Sequence, residues 1–217
     1  MITDYHSHIL PGVDDGFRSM EDSLEALSLI EREGVGTLWL TPHIMEDYPN
    51  TTEGLRSRYA ELKQAYKGGI RLQLAAEYMM DNIFEERLEN RDLLPIGVSG
   101  DHILVETSCF TPPMDLDGTL RKILSAGYFP LLAHPERYFY MEWGHYKHLL
   151  DMGVRFQLNL GSLGGAYGRL PRFRALRLLM QGAYTVAGSD IHSVHMLDII
   201  HKAWFRNRFM PLLDAPL

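Results

Sequence analysis

Short apolar runs alternate with amphipathic stretches along the whole chain. Seven runs have the length and composition of strands: Met1–Tyr5, Thr37–Thr41, Ile70–Ala75, Ile103–Thr107, Phe129–Ala133, Arg155–Leu160 and Tyr184–Ala187. Helical patterns follow most of them. Met20–Glu33 carries Leu24, Leu27 and Ile30 at helical spacing and stops at Gly34. Thr52–Lys67 carries Leu55, Tyr59, Leu62 and Tyr66 and stops at Gly68-Gly69. Asp115–Ala126, Gly144–Met152, Pro171–Gln181 and Met196–Phe205 complete the set, with Gly127, Gly153 and Gly182 at expected helix ends.

Seven strands alternating with helices predict parallel pairing and right-handed crossovers. A closed or nearly closed barrel of seven β/α units fits the length. A doubly wound open sheet is the alternative. Polar ligand-type residues follow nearly every strand, whereas an open sheet gathers them at one switch point. No Gly-x-Gly-x-x-Gly or P-loop fingerprint follows a strand. Both features favour the barrel.

The 217 residues suffice for one sizeable domain, and no linker, repeat or low-complexity stretch interrupts them, so one domain over 1–217 is expected. Apolar residues make up 46% and charged residues 23%, an ordinary soluble balance. The net charge of −7 excludes a global basic field for nucleic acid. One cysteine, Cys109, allows no intramolecular disulfide and fits a reducing compartment. Met1 leads straight into a strand without a signal-like region, and no apolar run approaches the roughly 18 residues of a membrane span. A cytoplasmic protein without membrane insertion is the expectation.

The chemistry lies at the strand ends. His6 and His8 are i, i+2 at the end of the first strand, so both leave on one face. Asp190 and His192 form a second i, i+2 pair after the last strand, the neighbour of the first in a closed barrel. Glu77 and Glu106 each end an apolar run, where an unpaired carboxylate is rarely buried. His43 and His134 have the same placement. Asp14-Asp15-Gly16 lies on a loop, where a turn is the simpler reading. Such a mixture of imidazole and carboxylate, without thiolate, suits Mn, Fe or Zn. A carboxylate can bridge two cations, which a neutral imidazole cannot. Arg137, three residues after His134, can fork a phosphate; its simpler role is an ion pair with Glu136 or another carboxylate. His195 is near enough to His192 to reach a site mouth. His102, His145, His148 and His201 read mostly as surface residues.

Six segments together resemble a known superfamily. They are His6-Ser7-His8-Ile9-Leu10-Pro11-Gly12-Val13-Asp14-Asp15-Gly16, Thr41-Pro42-His43, Ala76-Glu77-Tyr78, Val105-Glu106-Thr107-Ser108, Ala133-His134-Pro135-Glu136-Arg137-Tyr138 and Gly188-Ser189-Asp190-Ile191-His192. In this order they resemble the polymerase-and-histidinol-phosphatase (PHP) superfamily. Within it they are similar to the manganese-dependent tyrosine-protein phosphatases of bacterial capsular and exopolysaccharide gene clusters. The resemblance covers residues 2 to about 200.

It implies a distorted seven-stranded (β/α)7 TIM-like barrel with two or three Mn2+ ions, Fe or Zn being alternatives. His6, His8, Glu77 and Asp190 would hold one ion. Glu77 would share a second with Glu106 and His134, and Asp15, His43 and His192 would hold a third. Asp15, directly before Gly16, matches the ligand position rather than Asp14. Arg137 matches a phosphate-binding arginine, and Asp190 and His192 are candidates for proton relay. Relatives often carry a second arginine after the Ser-Asp-x-His motif. Here Ser193 to Asp198 contains none, which leaves His195 as a candidate for part of that role.

The implied activity is metal-dependent phosphomonoester hydrolysis on a phosphotyrosine protein, the tail of a bacterial tyrosine kinase regulating capsule or exopolysaccharide synthesis. Cys109 is not in a Cys-x5-Arg loop, which excludes cysteine-phosphatase chemistry. The alternatives are a small-molecule phosphatase acting on a compound such as histidinol phosphate, and a non-catalytic metal-binding accessory domain.

Overall fold

In a computed structural model, which describes residues 2–198 and 216–217, each of the seven expected strand runs overlaps a strand. The order is β1 (Ile2–Asp4), α1 (Met20–Arg32), β2 (Val35–Leu40), β3 (His43–Ile44), α2 (Thr52–Ala65), β4 (Arg71–Leu74), β5 (Glu77–Met79), α3 (Asn82–Asn90), β6 (His102–Glu106), α4 (Leu116–Ser125), β7 (Phe129–Ala133), α5 (Trp143–Asp151), β8 (Arg155–Asn159), α6 (Leu160–Gly164), α7 (Arg169–Met180) and β9 (Tyr184–Gly188). Short 3-10 turns follow β7 and β9, at Pro135–Arg137 and Val194–Met196. The expected helix Met196–Phe205 lies, beyond Asp198, outside the described residues.

Every named strand pairing is parallel. The strands form one sheet in the order β1-β2-β4 and another in the order β3-β5-β6-β7-β8-β9. The extra strands β3 and β5 follow just past the ends of two expected runs, Thr37–Thr41 and Ile70–Ala75. Pro42 lacks an N–H between β2 and β3, yet Ala75 N donates to Leu40 O at 2.9 Å and Glu77 N to Pro42 O at 3.1 Å across the gap. Beside the seam, Tyr5 N donates to Ala187 O, Asp190 N to His6 O and His8 N to Ile191 O, at 3.2, 2.8 and 3.0 Å. Thr41 N donates to Ser7 O at 2.9 Å. These bonds place the His6–His8 segment between the ends of β2 and β9.

Residues of both strand faces are buried, as the near-continuous apolar runs require of parallel strands covered by helices. Ile103, Val105, Leu132, Phe156 and Leu158 belong to the larger core cluster with helix residues such as Leu27, Ile30 and Ile123. Leu104, Leu131, Val186, Tyr5 and Trp39 form a second cluster on the alternate face. Glu106 has the parity of Leu104, so its carboxylate projects on the side of this inner cluster, at the strand end. Helices are set by caps as well as apolar stripes. Ser19 caps α1 by accepting from Asp22 N, and α1 buries Ala26, Leu27 and Ile30. Asp81 caps α3 through Phe84 N, and only Phe84 and Leu88 of that helix are buried.

Candidate metal centre

The nine expected ligand positions converge at one end of the strands. Ligand atoms of His6, His8, Glu77 and Asp190 all lie within 4.8 Å of one another. The same holds for His8, Asp15, His43 and His192, and for His43, Glu77 and Glu106. His134 joins through the two glutamates: its Nε2 is 3.1 Å from Glu77 Oε1 and 3.6 Å from Glu106 Oε2. The group with Glu77 and Glu106 thus contains His43 where the resemblance placed His134, and His8 is within reach of two groups.

Glu77 is the hub. Its Oε2 lies 3.1 Å from His6 Nε2, 3.3 Å from His8 Nε2 and 3.2 Å from His43 Nδ1, and the side chain is wholly buried. Yet Glu77 Oε2 and His43 Nδ1 make no well-directed hydrogen bond. His6 Nε2 and His8 Nε2 face each other at 3.1 Å. Buried polar atoms normally find hydrogen-bond partners. Crowded lone pairs aimed at common points instead form the donor set of a divalent cation.

Backbone geometry supports this crowding. Asp190 and His134 adopt φ of 53° and 33°, left-handed values that non-glycine residues reach at a cost. Gly188 lets β9 press against the first strand: a Cβ there would lie 2.4 Å from His6 Cβ.

Residues 2–197 match the model of the capsular polysaccharide synthesis family CpsB/CapC. The chain belongs to the CpsB/CapC family. It is 30% identical over 197 residues to the tyrosine-protein phosphatase YwqE of Bacillus subtilis, an alignment covering 88% of this chain and 77% of the relative. A solved structure from work on YwqE and on CpsB of Streptococcus pneumoniae, described as unique metal-dependent tyrosine phosphatases, superposes with a TM-score of 0.82. That match has 26% identity and covers 97% of this chain and 91% of the other. The lactonase Lmo2620 of Listeria monocytogenes shares the fold alone, at a TM-score of 0.59 and 12% identity over 88% of this chain and 78% of that one.

In this CpsB/CapC chain Arg137 pairs with another carboxylate rather than with Glu136. Its Nη1 donates to Asp190 Oδ2 at 2.7 Å. Glu136 is buried and instead accepts from Asn159 N and from the Tyr184 hydroxyl, at 3.1 and 3.0 Å. The two aspartates of the Asp-Asp-Gly loop divide their tasks. Asp15 is half-exposed, 3.5 Å from His43 Nε2 and 3.4 Å from His192 Nε2. Asp14 turns inward to His8 Nδ1 at 2.8 Å. His195 is exposed and lines a separate cavity with Leu29, Arg32 and Asp198, away from the three groups. His145 and His148 are exposed, as expected of surface residues, and His201 lies outside the described residues. His102 differs from expectation: it is buried, its ring tilted against that of Phe129 with centroids 5.3 Å apart.

Several supporting residues carried no sequence signal. Gln157 Oε1 lies 3.0 Å from His6 Nδ1, and Asn159 Nδ2 donates to Asp190 Oδ2 at 2.7 Å. Asp4 accepts from the backbone N–H groups of His6 and Ser189, at 3.1 and 2.8 Å. Such outer contacts fix ring orientation and tautomer.

The charges are mutually dependent. Burial alone would lower the pKa of His6, but Glu77 and Asp190 hold it up to about 9. His8 is likewise held well above its ordinary value against burial, by Asp14 first. Burial would raise Glu77 and Asp190; the surrounding imidazoles keep both well below the ordinary carboxylate range, with Arg137 assisting at Asp190. Asp15 is lowered to about 2, chiefly by its hydrogen bond to His192. Without metal, protons on the imidazoles balance the carboxylates, and a cation can replace them.

Proposed function

We propose that this chain is a metal-dependent protein-tyrosine phosphatase. The observation that carries the reading is the convergence of five histidines and four carboxylates, with crowded and undirected donor atoms, beside the Arg137 guanidinium. The family and the metal-dependent tyrosine phosphatases among its relatives support it. His6, His8, Glu77 and Asp190 would hold one ion. Glu77 would also serve a second with Glu106 and His134, with His43 in reach. Asp15, His43 and His192 would hold a third. Imidazole and carboxylate donors without thiolate favour Mn, with Fe or Zn as alternatives.

Bound divalent ions supply an acidified water as nucleophile and neutralise phosphate charge. The chain's own residues do the rest. Glu77 sets the spacing of the ligands from a position that admits no solvent. Arg137 uses one edge on Asp190 and keeps further N–H donors for phosphate oxygens, where charge builds in the transition state. His192 is the better placed of the two relay candidates. Its side chain is 25% exposed, against 2% for Asp190, and both Asp190 oxygens already face cationic or N–H groups. Water attacks phosphorus, the phenol leaves with a proton, and inorganic phosphate is released.

The two parallel sheets, with the seam bonds between the ends of β1 and β9, support a closed, distorted seven-unit barrel acting as one domain over 1–217. The partner is a phosphotyrosine protein, and in a capsule family a bacterial tyrosine kinase tail fits that role. No helix among the described residues is long and apolar enough to cross a membrane. We place the protein in the cytoplasm, where such a tail would be met.

Purified protein, analysed for metal and assayed on a phosphotyrosine peptide, phosphoserine and histidinol phosphate, tests the reading. Turnover confined to the phosphotyrosine peptide supports it. Preference for histidinol phosphate replaces it with a small-molecule phosphatase. Full metal content with no turnover leaves a binding domain.

A further inference from the structure

Tyr167 lies between α6 and α7, outside the ligand set. The Arg137 Cζ rests 4.2 Å from the centroid of its ring. The same guanidinium donates to Asp190 Oδ2 at 2.7 Å. Asn159 Nδ2 donates to that oxygen at 2.7 Å. Arg137 is therefore held between the Tyr167 ring and Asp190 Oδ2, an oxygen it shares with Asn159. The close approach of the loop needs a small residue opposite. A Cβ on Gly161 would lie 3.1 Å from Tyr167 Cε2 and 3.0 Å from Asn159 Oδ1, so a side chain there would push both away.

We propose that Tyr167 is a positioning residue that holds Arg137 flat, one edge on Asp190 and the other toward the substrate phosphate. The reason is directional. A guanidinium donates hydrogen bonds from its edge, whereas an aromatic ring attracts its face. Tyr167 can therefore restrain Arg137 without consuming any of the donors the phosphate needs. Asp190 alone cannot do this, since its restraint occupies an Nη1 donor and leaves rotation about that contact free. A substrate dianion would draw a loosely held arginine off Asp190, and the ring resists that movement. The face contact is the part of Tyr167 that acts on Arg137.

The inference rests on the phosphatase reading for its purpose, but the stack can be tested apart from it. In metal-free protein, the Arg137 Nε–Hε NMR resonance, assigned by its loss in Arg137→Lys, should be shifted upfield by the ring. It should return to the range of the other arginines in Tyr167→Leu and stay shifted in Tyr167→Phe. An unshifted resonance in the unsubstituted protein overturns the proposal without reference to activity, and without needing either variant to fold. In the metal-loaded enzyme, Tyr167→Leu should lower kcat/KM on a phosphotyrosine peptide by about 3- to 30-fold, the range of a partly desolvated cation–π contact. Tyr167→Phe should retain most of it. In an Arg137→Ala background Tyr167→Leu should cost nothing further, because the residue acts through Arg137. An equal loss in both backgrounds would mean that Tyr167 is only structural. No turnover by the unsubstituted enzyme defeats the phosphatase reading and leaves the resonance shift to decide whether Tyr167 holds Arg137.

Discussion

Asp14 grips His8 from behind: its Oδ2 lies 2.8 Å from His8 Nδ1, on the side of the ring away from Glu77 and Asp190. The same oxygen accepts the His43 backbone N–H at 3.1 Å. One buried carboxylate therefore sets the tautomer of one ligand and the position of another. Asp14→Ala should leave the fold intact and weaken metal binding about 10- to 100-fold, the usual cost of losing a carboxylate behind a metal-bound histidine. Calorimetric titration with Mn2+ measures it, and unchanged affinity would remove Asp14 from the centre. Asp14→Asn should lie between the two, since an amide oxygen can still accept from the ring.

Arg137→Ala should keep its metals and lose roughly 10²- to 10³-fold in kcat, the scale of one missing donor to developing charge. A loss seen only in KM would instead assign Arg137 to uniform substrate binding. Metal content must be measured in the same preparation, because the substitution also removes one of the cationic partners of Asp190. An unaltered kcat/KM at full metal content would leave phosphate binding to the ions.

The strand-end candidate ligands were legible because each breaks an apolar run, which a buried strand end does only with a reason. Their partners were not. Gln157 sits inside β8 as an ordinary polar residue, and its role depends on His6, 151 positions away. Tyr167 follows two glycines in a loop, and nothing local marks it as the seat of Arg137. The different surroundings of Asp14 and Asp15 were not readable locally, because both are turn residues by sequence. Strands β3 and β5 escaped notice for their size, two and three residues. Helix α3 escaped because two buried side chains make too thin a stripe for periodicity to detect.

His102 gives a pH effect remote from the metals. It begins β6, at the far end of the strand from Glu106. Burial lowers its pKa below 6.5, against the upward pull of Asp101 2.7 Å away. The unfolded chain therefore binds its proton at a higher pH than the folded chain does. The neutral ring contributes stability that is present above about pH 6.5 and is lost as pH falls toward the folded value. His102→Phe should flatten the decline in Tm below pH 6.5 relative to the unsubstituted protein, with metal content unaltered. Parallel Tm profiles for the two proteins would show that His102 takes up its proton alike in the folded and unfolded states.

Metal removal brings the opposite sign at His6. Burial would depress this imidazole, but in the metal-free protein Glu77 and Asp190 raise it to about 9, above the ordinary 6.5. Its proton therefore stabilises the metal-free fold fully below pH 6.5, and that contribution is lost as pH rises through about 9. A metal needs the lone pair the proton occupies, so binding must expel it. Apparent Mn2+ affinity should rise with pH until about 9. Titrations at pH 7 in two buffers of different ionisation enthalpy should reveal release of protons, with His6 and His8 both contributing. Exhaustive chelation should abolish phosphatase activity, added Mn2+ should restore it, and Cys109→Ala should leave it intact. Metal binding without proton release would mean that the imidazoles are already neutral, and that the carboxylates in the metal-free site are balanced in some other way.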